Sequence, residues 1–459
     1  MNLFNIYKHC PISIQNLLCN IKGYQIDKQR YGIEYDQIFE SLLESDFWTK
    51  DKIKLFKEER IYNILNYAYH NCKYYTNRFQ EYGLTPSSFT CLEDLNKFPI
   101  LTKEDVRNHW KEMISKEFKL KDLISYHTSG STGKALAFYW HQSNLKYYWA
   151  TVWRGRQRFD INKGDKHINF TGKLVVPLEQ QKPPYWRHNK FINQYMLNTQ
   201  HMTAAKSRDI IDFINHTKWD FFVGYPSIIN SLAVLVEEQN LEIKASPKYI
   251  FTSAEKLYDY QRDMIEKIFN ADVIEHYGFS ENAGCASKCE NKVYHEDFEL
   301  GHFELNNSVT VNDGEIGSLL ATGFHNLAMP FIRYEVGDTA KFTDVKCTCG
   351  RHSQVIANID GRNEDYILTP EGVKIMRVSA IFKNTKTIKE CQVIQETIDS
   401  LHIRIVKREG YSFTIEKEII KAVKELVSTN MTVHFSYLDQ IPRTKAGKFK
   451  FVISKLSNK

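Results

Sequence analysis

The sequence predicts an α/β protein: a large N-terminal α/β domain with several sheets, followed by a small α+β domain. Three observations carry that expectation. The chain has 459 residues, more than one hydrophobic core ordinarily organises, so two domains are the default. Short apolar runs ending in turn residues alternate with helical stretches through the middle of the chain, the pattern of an α/β core. After a strand-rich interval, a second and shorter alternation of helix and strand begins near residue 365.

The elements follow in order. Residues 1–60 are charged and helical in pattern, and "EERIYNILNYAYHNCKYYTNRF" puts Ile61, Ile64, Leu65 and Ala68 on one helical face. "HINF" and "DFFVGYP" read as strands ending in turns, and "SIINSLAVLVEEQN" after Pro226 reads as a helix. "KYIFTSAE" is a strand running into a loop, and "EKLYDYQRDMIEKIF" a helix. "ELGHFELNNSVTVNDGEIGSLLATG" is rich in strand and turn, with Asp313-Gly314 as a hairpin signal. Beyond it, "SAIFKNTKTIKECQVIQETIDSLHIRIVKREG" alternates helix and strand, "TIEKEIIKAVKELV" is an amphipathic helix and "MTVHFSYLDQIP" a strand. No low-complexity linker separates the regimes, so the boundary falls at "DGRNED", with domains over 1–361 and 362–459.

Composition narrows the function classes. Hydrophobic residues make up 42% and charged residues 25%, ordinary for a soluble globular chain. The net charge of +6 is scattered without a basic run, so no nucleic-acid partner is expected. No segment approaches the ~18 consecutive apolar residues of a membrane span. Pro11 and Gln15 interrupt the apolar N-terminus, which does not read as a signal peptide, and the cytoplasm is the expected compartment. Nine cysteines, an odd number, argue against a disulfide framework. Cys285, Cys289, Cys347 and Cys349 cluster late in the chain and need another explanation.

The most concentrated signal is Thr128-Ser129-Gly130-Ser131-Thr132-Gly133-Lys134. Glycines let backbone N–H groups turn toward an anion, hydroxyls add donors and Lys134 adds a point charge. The loop reads as a phosphate site, with a polar hairpin turn as the plain alternative. It is not a Walker loop: Gly130 and Gly133 are too close, Ala135 follows the lysine, and "ALAFYWH" continues as a strand rather than a helix. The failed Walker spacing argues against a GTPase or kinase of that type.

This loop resembles the phosphate loop of the adenylate-forming (acyl-CoA synthetase and ligase) superfamily. Further matches follow in that family's order. "YGFSE" (Tyr277 to Glu281), "RYEVGD" (Arg333 to Asp338), "GRNED" (Gly361 to Asp365, with Glu364 in place of the usual aspartate) and "PRTKAGKFKFV" (Pro442 to Val452) resemble its later motifs. "PISIQNLLCNIKGYQIDKQRYG", "TSAEKL" (Thr252 to Leu257) and "CTCGR" (Cys347 to Arg351) are similar to the phenylacetate-CoA ligase branch and its CapK-like members of capsular polysaccharide biosynthesis.

The resemblance implies ATP-dependent activation of a small carboxylic acid to an acyl-AMP. The acyl group then passes to CoA or to an amine, such as that of an amino sugar. A catalytically silent interaction protein on the same fold is the rival reading, opposed by the intact motif residues. Thr128 to Lys134 would hold the β- and γ-phosphates, and Glu281 would help hold Mg²⁺. Tyr277, Gly278 and Ser280 would line the adenylate site, with Ser253, Ala254 and Glu255 against the adenine. Asp338 would accept the ribose hydroxyls, and Arg362 would contact ribose or phosphate, or brace the hinge. Lys448 would be the catalytic lysine, bridging the α-phosphate and the acyl oxygen as charge develops. The small domain would be mobile, rotating about a hinge at Glu364 between half-reactions. For Glu281, Asp338 and Lys448 the plain alternatives are a loop carboxylate, a turn aspartate and a solvated lysine. A homodimer is a family-level expectation.

Cys289, His295, Cys347 and Cys349 form a Cys₃His set suited to structural Zn²⁺. Their spacing is not a common finger spacing, and on its own it fits free buried thiols as well. Similar sets in phenylacetate-CoA ligase-like proteins imply a metal. Cys285 reads as a spare thiol or an alternative ligand, and His302 as an ordinary strand histidine.

Overall fold

The structure, a computed structural model, describes residues 3–127, 136–171, 175–198, 201–311, 313–362, 367–370, 374–375, 378–382, 387–443 and 449–456. Helices α1 (Leu3–His9), α2 (Ile12–Arg30), α3 (Ile33–Ser45), α4 (Lys50–Asn71), α5 (Lys73–Glu81) and α6 (Lys103–Met113) open the chain. The predicted apolar face of α4 is buried through Ile61, Ile64, Leu65 and Ala68. Helix α6 starts at a capping box between Thr102 and Asp105, which satisfies donors that the first turn leaves free. A hairpin, β1 (Ile124–His127) and β2 (Ala137–Trp140), follows, then α7 (Gln142–Gln157).

A twelve-stranded sheet forms the body of the large domain. Its strands are β3 (His167–Thr171), β4 (Trp186–Asn189), β5 (Gln194–Asn198), β6 (Phe221–Gly224), β7 (Tyr249–Ser253), β8 (Asp272–Gly278), β9 (Cys285–Lys288), β10 (Tyr294–Glu296), β11 (Gly301–Val311), β12 (Gly314–Gly323), β13 (Tyr334–Thr343) and β14 (Val355–Arg362). The order is β11-β12-β13-β14-β10-β9-β8-β7-β6-β3-β5-β4. Strands β5, β3, β6, β7 and β8 are parallel. Their near-continuous apolar runs suit a sheet covered on both faces. Helices α8 (Ser207–Asn215), α9 (Pro226–Glu238) and α10 (Asp259–Phe269) connect them. Gly224 ends β6 where a Cβ would meet the Phe170 carbonyl at 2.6 Å, so only glycine lets the two strands pair this closely.

A four-stranded sheet, order β19-β18-β17-β20, forms the small C-terminal unit, after the short pair β15 (Ile367–Leu368) and β16 (Lys374–Ile375). It comprises β17 (Ile388–Thr397), β18 (Ser400–Lys407), β19 (Thr432–Tyr437) and β20 (Val452–Ser454), with α11 (Phe413–Leu426) packed on it through Ile419 and Val423. The α/β fold class and the hairpin around residues 128–135 agree with the sequence reading. Two helices are shorter than expected. Helix α10 begins at Asp259 rather than Glu255, because Ala254 adopts a left-handed backbone (φ 67°) and Glu255 has other partners. "SAIF" makes only a 3₁₀ turn, Val378–Phe382, before the hairpin of β17 and β18. Among the described residues no helix is long and apolar enough to cross a membrane.

Candidate active site

Strand β8 delivers Tyr277 and Gly278, and the turn after it leaves Ser280 exposed and folds Glu281 inward to 6% exposure. Strand β13 starts at Tyr334 and turns at Gly337, whose φ of 91° favours glycine. The two motifs lock each other. The Tyr277 hydroxyl donates to Asp338 Oδ2 at 2.5 Å, and the Tyr334 hydroxyl donates to Glu281 Oε1 at 2.6 Å. Each motif's tyrosine therefore holds the other motif's carboxylate. Burial, and then the charge of Asp338, push the Tyr277 hydroxyl well above its ordinary pKa, so it remains a donor. Among the described residues Glu281 Oε2 has no partner, leaving one carboxylate oxygen for a hard cation. Arg333 fastens the same segment, pairing with Glu304 at 3.1 Å and donating to the Asn96 carbonyl at 2.9 Å.

Arg362 lies opposite Asp338 in the pairing of β13 with β14. Its side chain, Thr128 to Lys134, Glu364 and Lys448 lie outside the described residues. The hairpin flanking Thr128 to Lys134 packs through Phe138 onto Phe331, which packs onto Tyr334 (ring centroids 6.3 and 5.0 Å). This carries the hairpin to the segment that opens β13.

Ser253, Ala254 and Glu255 form the turn after β7. The left-handed Ala254 aims Glu255 at two backbone donors. Oε2 accepts from Ser227 N–H (3.2 Å), in the first turn of α9, and Oε1 accepts from Phe449 N–H (2.8 Å). A carboxylate at a helix N-terminus answers free donors and the helix dipole. Burial raises the Glu255 pKa, with the two N–H groups pulling the other way. Phe449 directly follows Lys448 in the chain, so the turn after β7 holds the small unit at the residue next to that lysine. Further contacts seat the small unit on α9: Lys389 pairs with Glu238 (2.7 Å), Arg408 pairs with Glu237, and the Ser231 hydroxyl donates to Glu390 (3.3 Å).

A cavity of about 230 Å³ opens beside this turn at the carboxyl ends of the parallel strands, with Gly224, Tyr225, Thr252, Ser253 and His276 on its wall. That is the position where open α/β sheets bind ligands. Tyr225 lines the cavity while Pro226, next in the chain, starts α9.

Cys289, His295, Cys347 and Cys349 converge, with one donor atom of each within 4.8 Å of the others. Cys289 and Cys347 Sγ are 3.6 Å apart, and Cys349 Sγ is 3.3 Å from His295 Nε2. Tetrahedral zinc with ordinary bond lengths needs edges of ~3.5–3.8 Å, so the donor set fits. Burial pushes the His295 imidazole down to about 4, keeping it neutral as a ligand must be. Burial pushes Cys289 up to about 12. Cys347 runs lower despite burial, because the Cys349 backbone and Asn291 donate to it. Cys285 stands apart, its thiol donating to Asp297 at 3.2 Å, and His302 lies on β11 beside Glu296 (3.5 Å).

A buried ionic network beside the cluster was not foreseen. Arg154 pairs with Asp297 and Glu299 (both 2.8 Å), Arg158 with Asp46 (2.6 Å), and Arg351 with Asp46 (2.6 Å) and Glu290 (2.7 Å). Arg351 thereby ties the "CTCGR" segment to the turn after α3. Arg154 and Arg158, four apart at the end of α7, were the available signal, but their partners lie more than a hundred positions away.

A family profile for the CapK C-terminal domain matches residues 367–455. The chain is 30% identical to Protein CapK of Staphylococcus aureus over 98% of this chain and 99% of that one. It is 24% identical to the phenylacetate-coenzyme A ligase of Pseudomonas putida, over 86% and 92% of the two chains. In structure it is similar to 2-hydroxyisobutyryl-CoA ligase in the postadenylation state in complex with 2-HIB-AMP. That match has a TM-score of 0.70 at 18% identity, covering 90% and 91% of the two chains. With this near-complete coverage, the chain belongs to the CapK family, and its similarity to the phenylacetate-CoA ligases along most of their length marks it as an acid ligase of the AMP-forming kind.

Proposed function

We propose that this enzyme uses ATP to convert a small carboxylic acid to its acyl-AMP, releasing pyrophosphate, and then transfers the acyl group to CoA. The observation that carries the reading is the reciprocal pair Tyr277–Asp338 and Tyr334–Glu281. It holds two carboxylates in fixed positions, which supports a site for a nucleotide with its metal. Asp338 binds the ribose diol, and Tyr277, Gly278 and Ser280 line the adenylate. Ser253, Ala254 and Glu255 face the adenine side, and Thr128 to Lys134 bind the outer phosphates. Glu281 would hold Mg²⁺, which neutralises phosphate charge when bound. Arg362 contacts the ribose or a phosphate. Lys448 brings positive charge to the α-phosphate and acyl oxygens as the acid attacks. The Glu255–Phe449 contact supports this role, since it seats the neighbouring residue at the site.

The domains are 1–361 and 362–459, and the small one turns about Glu364 between the half-reactions. Zn²⁺ in the Cys₃His set would staple β9, β10 and the 347–349 segment. Similarity to ligases named for coenzyme A supports the thiol acceptor. We place the reaction in the cytoplasm and in polysaccharide biosynthesis, as the CapK-like resemblance of the motifs implies, and an amine acceptor is the competing outcome. The test is mass spectrometry of products from an acid library, each acid given ATP, Mg²⁺ and either CoA or an amino sugar. A CoA thioester supports the proposal, an amide replaces the acceptor, and neither product refutes the transfer step.

A further inference from the structure

The cavity beside the Ser253–Glu255 turn has a second wall, made by the end of α2 and one face of α7. That wall presents two guanidinium groups, Arg30 and Arg156. Arg154 and Arg156 on α7 and Arg158, the residue that caps it, sit two apart. Positions 154 and 158 share a face, and 156 points the opposite way. The first face is matched in charge by Asp46, Asp297 and Glu299. Arg156 has aromatic neighbours instead, at 4.6 Å from the Trp153 ring centroid, 5.1 Å from Phe221 and 5.7 Å from Phe251. Arg30 lies over Trp149 at 3.9 Å.

Among the described residues neither guanidinium has a carboxylate partner. The acid on the cavity wall, Glu275, is already held by Arg262 at 2.5 Å and by Lys288. His276 and His167 are neutral, because burial pushes their pKa values down to about 4 and about 3. Two surplus positive charges, both half-buried, therefore line a cavity whose wall also carries several aromatic rings. His276 Nε2 and Thr252 Oγ1 are buried there without partners among the described residues. Burial pushes Arg156 down to about 10 and lowers Arg30 as well. An unmatched buried charge is costly, and cation–π contact offsets only part of it.

We propose that the acid activated here carries a second anionic group, and that Arg30 and Arg156 bind it in this cavity while the reacting carboxylate lies toward Tyr277. The inference deepens the adenylation reading and rests on it. The ligand class is a short dianionic acid, its second group a carboxylate or a phosphate, either of which a guanidinium fork accepts in bidentate fashion.

The test is acid-dependent ATP–pyrophosphate exchange with matched short acids: monocarboxylic, dicarboxylic, and hydroxy acids phosphorylated at the hydroxyl. The expected result is a kcat/KM on the order of tenfold to a hundredfold higher for a dianionic acid than for its monocarboxylic match. Whichever dianionic series supports exchange identifies the group. Arg156→Met brings the dianionic acid down to the level of its monocarboxylic match. The same variant unfolds at or above the wild-type temperature, because an unmatched charge has left the interior. Arg30→Gln, at the end of α2, is a second variant with the same expected loss. Monocarboxylic acids used as well as dianionic ones, or a preference that survives both variants, overturns the inference and leaves adenylation standing. Exchange with no acid of any series overturns both.

Discussion

Replacing Glu255 tests how the small domain is presented to the site. Its carboxylate accepts from Phe449 N–H at 2.8 Å and from Ser227 N–H at 3.2 Å. Hydrogen bonds to charged groups contribute about 1.5–3 kcal/mol each. Glu255→Ala removes both, but only the Phe449 bond tethers the loop that contains Lys448. Losing about 1.5–3 kcal/mol of tether energy corresponds to roughly a 10- to 150-fold drop in the seated arrangement relative to the unseated one. Adenylation requires the seated arrangement, so the exchange rate falls by a similar factor. Glu255→Gln keeps a neutral acceptor oxygen, and since a neutral hydrogen bond is about half as strong it loses only about 0.75–1.5 kcal/mol, roughly a 4- to 12-fold drop. The assay is acid-dependent exchange of labelled pyrophosphate into ATP, with limited proteolysis near residue 364 reporting how often the small domain is unseated. Exchange by Glu255→Ala within about twofold of wild type would refute the tether. So would a Gln variant as impaired as Ala, which would point to the charge alone.

Three further predictions concern the lysine, the metal and acid stability. Lys448→Ala slows adenylation by several powers of ten while ATP binding by equilibrium dialysis is largely kept, and unchanged adenylation removes that lysine from the chemistry. Elemental analysis of freshly purified protein finds about one zinc per chain, and Cys289→Ser or Cys347→Ser loses the metal and lowers the unfolding temperature; wild-type protein without zinc defeats the Cys₃His assignment. Burial raises the Glu296 carboxyl, but Lys57 and His302 hold it down at about 2, below the ordinary value near 4.3. A carboxyl depressed on folding adds stability that is complete above its unfolded pKa and is lost as pH falls through the folded one, here on the order of 3 kcal/mol. Asp46 and Asp297, lowered by their arginines against the effect of burial, act in the same direction. Denaturant midpoints of metal-depleted protein therefore fall steeply between about pH 4.5 and about pH 2, and a flat profile contradicts the paired network.

The side chains of the candidate site were more legible than the scaffold that surrounds them. Tyr277, Glu281, Tyr334 and Asp338 occur in short ordered motifs, so their types and order could be read directly. Their reciprocal bonding could not, because it depends on strands β8 and β13 lying four positions apart in the sheet. The Cys₃His residues were recognisable by type, yet 58 positions separate Cys289 from Cys347 and only the fold brings them together. Periodicity predicted α4 and α11 well, because one apolar stripe decides their packing. It overextended α10, since the left-handed Ala254 is a tertiary feature with no local glycine or proline to announce it. The opposite fates of Arg154 and Arg156 are implicit in helical geometry. Which one meets carboxylates depends on Asp46, Asp297 and Glu299, distant in the chain.

The central claim, that this chain activates a carboxylic acid as its adenylate, is met most directly by exchange of labelled pyrophosphate into ATP across a broad library that includes hydroxy, amino and dianionic acids. The account predicts exchange that depends on Mg²⁺ and on one class of acid, with the matching acyl-AMP detected by mass spectrometry. ATP left unexchanged with every acid, by folded and zinc-loaded protein, would contradict it.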